Sequence, residues 1–162
     1  SGKIDPALYH RYLINQFYNY VALEYKMPLV ELGLSGISRS ELISEDIIEL
    51  EDMYGLDRAD VSISQSTKDY AEYCENLFEN DKDGLLAHMY VRHFGDMYGG
   101  AMIAKRIPGS GKMYEFHDKE GLISRRAMSR ICTSSGPSTM RKVRIPAYIE
   151  ARGESLLTPA PP

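Results

Sequence analysis

Leu85–Ile107, LLAHMYVRHFGDMYGGAMIAKRI, is the stretch on which the fold turns. Its apolar residues recur at helical spacing, so it predicts a long helix, yet Gly95, Gly99 and Gly100 sit near its middle. Each glycine inside a helix costs roughly 1 kcal/mol relative to alanine, so three of them require a reason. The reason read here is that something flat lies directly against the backbone at Gly95 and Gly99. Asp96 places a carboxylate beside that surface.

Working outward, the chain reads as helix after helix. Asp5-Pro6 is an N-cap followed by proline at the first helical position, opening a helix that runs to about Lys26 and stops before Pro28. Leu13, Phe17, Tyr20 and Glu24 share one face of it. Residues 28–37 read as a loop, and Ser38-x-x-Glu41 as a capping box for a helix ending at Gly55. Ser66 is read as the cap of the next helix, where Tyr70, Tyr73, Cys74, Leu77 and Phe78 form an apolar stripe. After a turn at 80–83 comes the glycine-bearing helix, then a flexible loop at Gly109–Lys112 that lacks the spacing of a phosphate cradle. A further helix is expected from about Asp118 to Ile131, carrying Arg125, Arg126 and Arg130. Residues 132–162, rich in proline, serine and threonine, read as an irregular or disordered tail. The expectation is an all-α fold with one domain over residues 1–131.

Composition narrows the class. A chain of 162 residues, 43% apolar and 26% charged, supports one domain with a substantial core. No run of about 18 apolar residues predicts a membrane span, and no leader pattern opens the chain. Cys74 and Cys132 have neither metal nor redox spacing, which suggests a reduced, cytoplasmic protein. The net charge of −4 is unevenly spread: residues 1–96 hold 8 Lys/Arg against 18 Asp/Glu, and residues 97–162 hold 11 against 5. Either this is a solvated acidic half beside a basic tail, or the basic part faces an anionic ligand or an acidic partner protein. No nucleic-acid-binding module is readable.

Ala87-His88-x-Tyr90-x-Arg92-x-x-Gly95-Asp96-x-x-Gly99-Gly100 resembles the distal-helix motif of the biliverdin-forming heme oxygenases. Tyr20-Val-Ala-Leu-Glu24 is similar to an earlier helix of that family, and Ser44–Gly55 to its next acidic helix with the same closing Tyr-Gly pair. The resemblance implies a multi-helix bundle that cleaves heme to biliverdin, ferrous iron and carbon monoxide. Heme would be both substrate and cofactor, with dioxygen as co-substrate. Electrons would come from a donor such as a ferredoxin or a reductase. It implies that Gly95 and Gly99, with Gly100 beside them, bring backbone close to the heme face. Asp96 would hold water that delivers protons to the reacting oxygen, supported by Tyr20 and Arg92. Tyr90 would reach a heme propionate, with Arg126 as the principal propionate partner and Arg125 and Arg130 as neighbours.

Plainer readings stand beside these: helix–helix packing at Gly95 and Gly99, a structural cap at Asp96, and an exposed basic face at 125–130. The family's iron-ligating histidine precedes the helix bearing Tyr20, so it is expected upstream of Ser1, because His10 lies on the wrong helix. The family's last long helix has no counterpart in the tail. The chain therefore reads as a partial heme oxygenase. The alternatives are a heme-binding protein without oxygenase activity and, further off, a thiaminase-like hydrolase, which would need a nucleophilic cysteine; Cys74 on its apolar stripe looks buried and inert.

Overall fold

The computed structural model describes residues 3–25, 27, 29, 35–117 and 119–123. These residues form helices α1 (Pro6–Glu24), α2 (Ser40–Tyr54), α3 (Gln65–Asn80), α4 (Lys82–Ile103) and the short α5 (Lys119–Ile123), with no strand among them. Short 3-10 turns occupy Ser35–Ile37, Arg58–Asp60 and Lys112–Tyr114. The expected all-α class holds. Arg125, Arg126, Arg130, Cys132 and the tail expected at 132–162 lie outside the described residues.

Local chemistry explains most boundaries. The Asp5 carboxylate accepts from the Leu8 amide at 2.9 Å, with Pro6 opening α1 as expected. Gly55 ends α2 at φ 64°, a left-handed conformation that glycine takes without steric penalty. The capping box expected at Ser38 and Glu41 is not formed. Arg39 is the N-cap, and its side chain makes no capping bond. The acceptor comes instead from the end of α1: Glu24 takes the amides of Arg39 at 2.7 Å and Ser40 at 3.1 Å. Ser38, expected to cap locally, donates its hydroxyl to Glu24 as well, at 2.8 Å.

The start of α3 moves for a similar reason. Ser64, not Ser66, is its N-cap. Asn15 on α1 decides between the serines, accepting from the Ser64 amide at 3.0 Å and from the Thr67 hydroxyl at 2.8 Å. α4 begins earlier than Leu85 because Asp81 accepts from the Gly84 amide at 3.0 Å. It stops at Ile103, where the chain turns and the Arg106 carbonyl accepts from the Ile4 amide at 2.9 Å.

α1 is the hub, packing against α2, α3 and α4. Its Leu23 joins the apolar cluster of Cys74, Leu77, Leu85, Met89 and Phe94 between α3 and α4. Its Leu13 and Tyr20 join a second cluster with Ile43, Ile47, Leu50 and Met113 against α2. Tyr20 is fully buried, so its hydroxyl is carried to a fixed place beside α4.

Candidate functional site

α4 runs without a break through Gly95, Asp96, Gly99 and Gly100. A methyl group built on Gly95 or on Gly99 would meet nothing within 4 Å. Among the described residues, no element packs onto these two glycines. Tyr98, Met102 and Ile103, on the same side by helical spacing, are 66%, 74% and 40% exposed. Together they make an apolar ledge with a bare strip of backbone along it. One turn past Gly99, Ile103 opens onto a cavity of about 440 Å³ shared with Tyr9, Tyr12 and Tyr114.

Gly100 behaves differently from its neighbour. It is buried, and a Cβ there would come within 3.0 Å of Tyr114 Cγ and 3.1 Å of Tyr114 Cβ. Gly100, expected to touch the cofactor, makes room for the Tyr114 ring. Adjacent glycines on consecutive helix positions face opposite demands.

The structure brings Tyr20, Arg92 and Asp96 together. The Tyr20 hydroxyl donates to Asp96 Oδ2, although 76 residues separate them. Arg92 lies over the Tyr20 ring at 5.3 Å and over the Tyr70 ring at 5.9 Å, and donates through Nη2 to Gln16 Oε1. Burial raises the Asp96 pKa, while the Tyr20 hydrogen bond and the charges of Arg92, His93 and Arg39 pull it back. Tyr20 is held well above its ordinary value by burial and by the Asp96 charge, so it remains a phenol that donates. Burial works against the Arg92 charge, but Tyr20, Tyr70 and Asp96 outweigh it and the guanidinium stays charged. Asp96 sits inside an uninterrupted helix and caps nothing.

Sequence reasoning missed the residue that ties this site to the fold. Glu24 is buried, and besides the amides of Arg39 and Ser40 it accepts the Ser40 hydroxyl at 2.6 Å and His93 Nε2 at 2.7 Å. Burial opposes its charge, but the His93 bond and charge, with Ser40 and the Arg39 amide, lower its pKa to about 2. A charged side chain within an otherwise apolar helical face was the available signal. Arg39 is buried too; its guanidinium donates to the carbonyls of Ile37, Gly36 and Glu115 and lies 3.9 Å from the centre of the Phe116 ring.

Tyr90 is half-buried, its ring tilted against that of Phe94 with centroids 4.6 Å apart. His10 is buried against Glu51 at 3.1 Å, and His88 lies edge-on to Tyr73 at 5.2 Å. No group of three potential metal-ligating side chains forms among the described residues. Cys74 is buried in the α3–α4 cluster, and burial lifts its thiol to about 11, which argues against a nucleophilic cysteine. No helix among the described residues is long and apolar enough to cross a membrane.

A family model described as heme oxygenase matches residues 1–130. The chain is 27% identical over 118 residues to a heme oxygenase of Pyropia yezoensis, covering 68% of this chain and 48% of that one. It is 26% identical over 111 residues to heme oxygenase 1 of Nostoc sp., covering 64% and 45% respectively. The chain thus spans about half the length of the curated relatives it matches. Among solved structures it resembles the heme oxygenase of Leptospira interrogans, with a TM-score of 0.68 at 24% identity, covering 86% of this chain and 76% of that one. It also resembles heme oxygenase-1 of Synechocystis sp., a structure in complex with heme, with a TM-score of 0.62 at 21% identity, covering 96% and 85%.

Proposed function

The chain belongs to the heme oxygenase family, and on that premise we propose that it supplies the oxygen-side wall of a heme pocket in which heme is cleaved to biliverdin, ferrous iron and carbon monoxide. The observation that carries this reading is the bare ledge at Gly95 and Gly99 with the Tyr20–Asp96 pair beside it. A flat macrocycle fits a strip where backbone is exposed and a Cβ meets nothing. The apolar side chains of Tyr98, Met102 and Ile103 flank that strip.

When bound, heme supplies the iron that takes up dioxygen and the ring that is opened. The residues of this chain bind, orient and move protons. Gly95 and Gly99 let the ring approach the helix backbone and leave the space above it to a small molecule. Tyr20 donates to Oδ2 of Asp96 and so fixes the carboxyl group, leaving Oδ1 to hold water. Burial makes Asp96 a better proton carrier than an exposed aspartate, which suits proton delivery at neutral pH. Arg92 stabilises the negative end of the pair. Tyr90 is assigned to one propionate, and Arg126 with Arg125 to the other, since a planar guanidinium pairs with carboxylate. We assign electron supply to an acidic ferredoxin or a reductase meeting the basic half at 97–162, and place the protein in the cytoplasm, where free Cys74 stays reduced.

The test is spectroscopic. Hemin added to the protein is expected to give a Soret band that decays into red bilin absorption once ascorbate and oxygen are supplied. Asp96→Ala is expected to keep the Soret band and lose roughly 10²–10⁴-fold in bilin formation. Unchanged turnover in that variant removes Asp96 from proton delivery. The alternative reading is a heme-binding protein without oxygenase activity. A Soret band that persists under reductant would select it.

A further inference from the structure

His93 is fully buried one turn below the ledge, and nothing in the proposed function uses it. Both of its ring nitrogens meet acceptors: Nε2 faces Glu24 Oε1 at 2.7 Å and Nδ1 faces the Met89 carbonyl at 2.8 Å. A carbonyl oxygen accepts only, and Glu24 is a carboxylate, standing on the first amides of α2. Each contact is a hydrogen bond where the imidazole nitrogen facing it carries hydrogen, so the geometry leaves both ring nitrogens with an acceptor to donate to. Its ring meets the Tyr20 ring edge-to-face, with centroids 4.8 Å apart and planes at 88°. Tyr20 in turn donates to Asp96.

We propose that His93 is a positioning residue for Asp96, an imidazolium clamped by Glu24 that fixes the Tyr20 ring and places a positive charge beneath the Asp96 carboxylate. The chain of contact is continuous: Glu24 and Met89 orient the imidazole, the imidazole sets the Tyr20 ring plane, and that ring aims its hydroxyl at Oδ2. The surrounding charges fall into place around it. α1 contributes Glu24 and Tyr20, the start of α2 contributes Arg39, and α4 contributes Arg92 and Asp96. The His93 and Arg39 charges act on Asp96 in the same sense as Arg92, against the effect of burial. A neutral residue at 93 would remove one of the charges that counter the effect of burial on Asp96.

This inference gives a role to a residue behind the proposed proton-delivery site, but its test needs no heme. Ring-nitrogen and carboxyl chemical shifts are measured on the ligand-free chain, so failure to bind heme and failure of the clamp are read separately. In the wild type, both nitrogens of His93 are expected to carry hydrogen at neutral pH. His93→Phe keeps an aromatic ring against Tyr20 but strands the Glu24 charge, so it is paired with the double variant His93→Phe/Glu24→Gln, which removes both charges. In His93→Phe the proton affinity of Asp96 is expected to rise about tenfold, and by less in the double variant, where the opposing Glu24 charge is gone as well. The Asp96 titration should stay at its wild-type position in a control at an exposed acid far from the site, Glu72→Gln. A single protonated nitrogen on His93 at neutral pH overturns the proposal. An unchanged Asp96 titration in folded His93→Phe overturns it equally.

Discussion

Gly99 and Gly100 share one helix and respond to opposite rules. At Gly99 a side chain meets open space, so Gly99→Ala is expected to stabilise the ligand-free protein by about 1 kcal/mol through helix propensity alone. Gly99→Leu should keep the fold while filling the ledge, and a heme titration should show loss of the Soret band. Gly100→Ala instead drives a methyl group into the Tyr114 ring and is expected to cost about 1–3 kcal/mol in denaturant melts. Equal effects at both positions would contradict the division between ledge and packing glycine. The motif put Asp96, Gly95 and Gly99 forward as candidates from neighbouring residues alone, because they follow one another along one helix, and the structure sets Tyr20 beside Asp96. Gly100 was not separable from Gly99 by the same means. Only the arrival of Tyr114 from a later turn distinguishes them.

At the scale of the elements, Glu24 does what a local cap was expected to do. It closes the N-terminus of α2, bonds His93 on α4 and does so from the last residue of α1, so three helices converge on one carboxylate. Glu24→Ala removes the cap of α2 and leaves the buried His93 Nε2 without its partner, which is expected to cost about 1–3 kcal/mol. The acid limb of stability follows from the same group. Its pKa is depressed from an ordinary 4.5 to about 2 by folding, so its contribution is complete above 4.5 and is lost as the pH falls from there toward 2. An acid titration followed by circular dichroism should show the wild type losing stability over that interval, with Glu24→Gln much flatter. Helix positions were readable from periodicity, and Asp5-Pro6 and Gly55 fixed their own ends correctly. Ser38 and Ser66 misled because the deciding partners, Glu24 and Asn15, lie on α1 and are invisible to any rule that looks three residues ahead.

For the whole molecule, α1 carries Leu13 and Tyr20 into one apolar cluster and Leu23 into the other, so the site is rigid where it meets α1 and open where the ledge faces outward. A ligand that binds only the folded state raises its stability, by about 2.7 kcal/mol at a hundredfold excess over Kd. For a domain of this size that corresponds to a rise in Tm of roughly 5–10 °C. Differential scanning fluorimetry with hemin should report it for the wild type, and no shift for Gly99→Leu. A rise of the same size in both would place heme somewhere other than the ledge.

The exposed trio of Tyr98, Met102 and Ile103 has a cost away from the chemistry. Contiguous apolar surface of this kind is adhesive in water, and two ligand-free chains can satisfy it on each other as readily as a macrocycle can. On the proposed function, colloidal behaviour and cofactor supply become one question, because hemin seated on the ledge would cover the surface that otherwise draws two chains together.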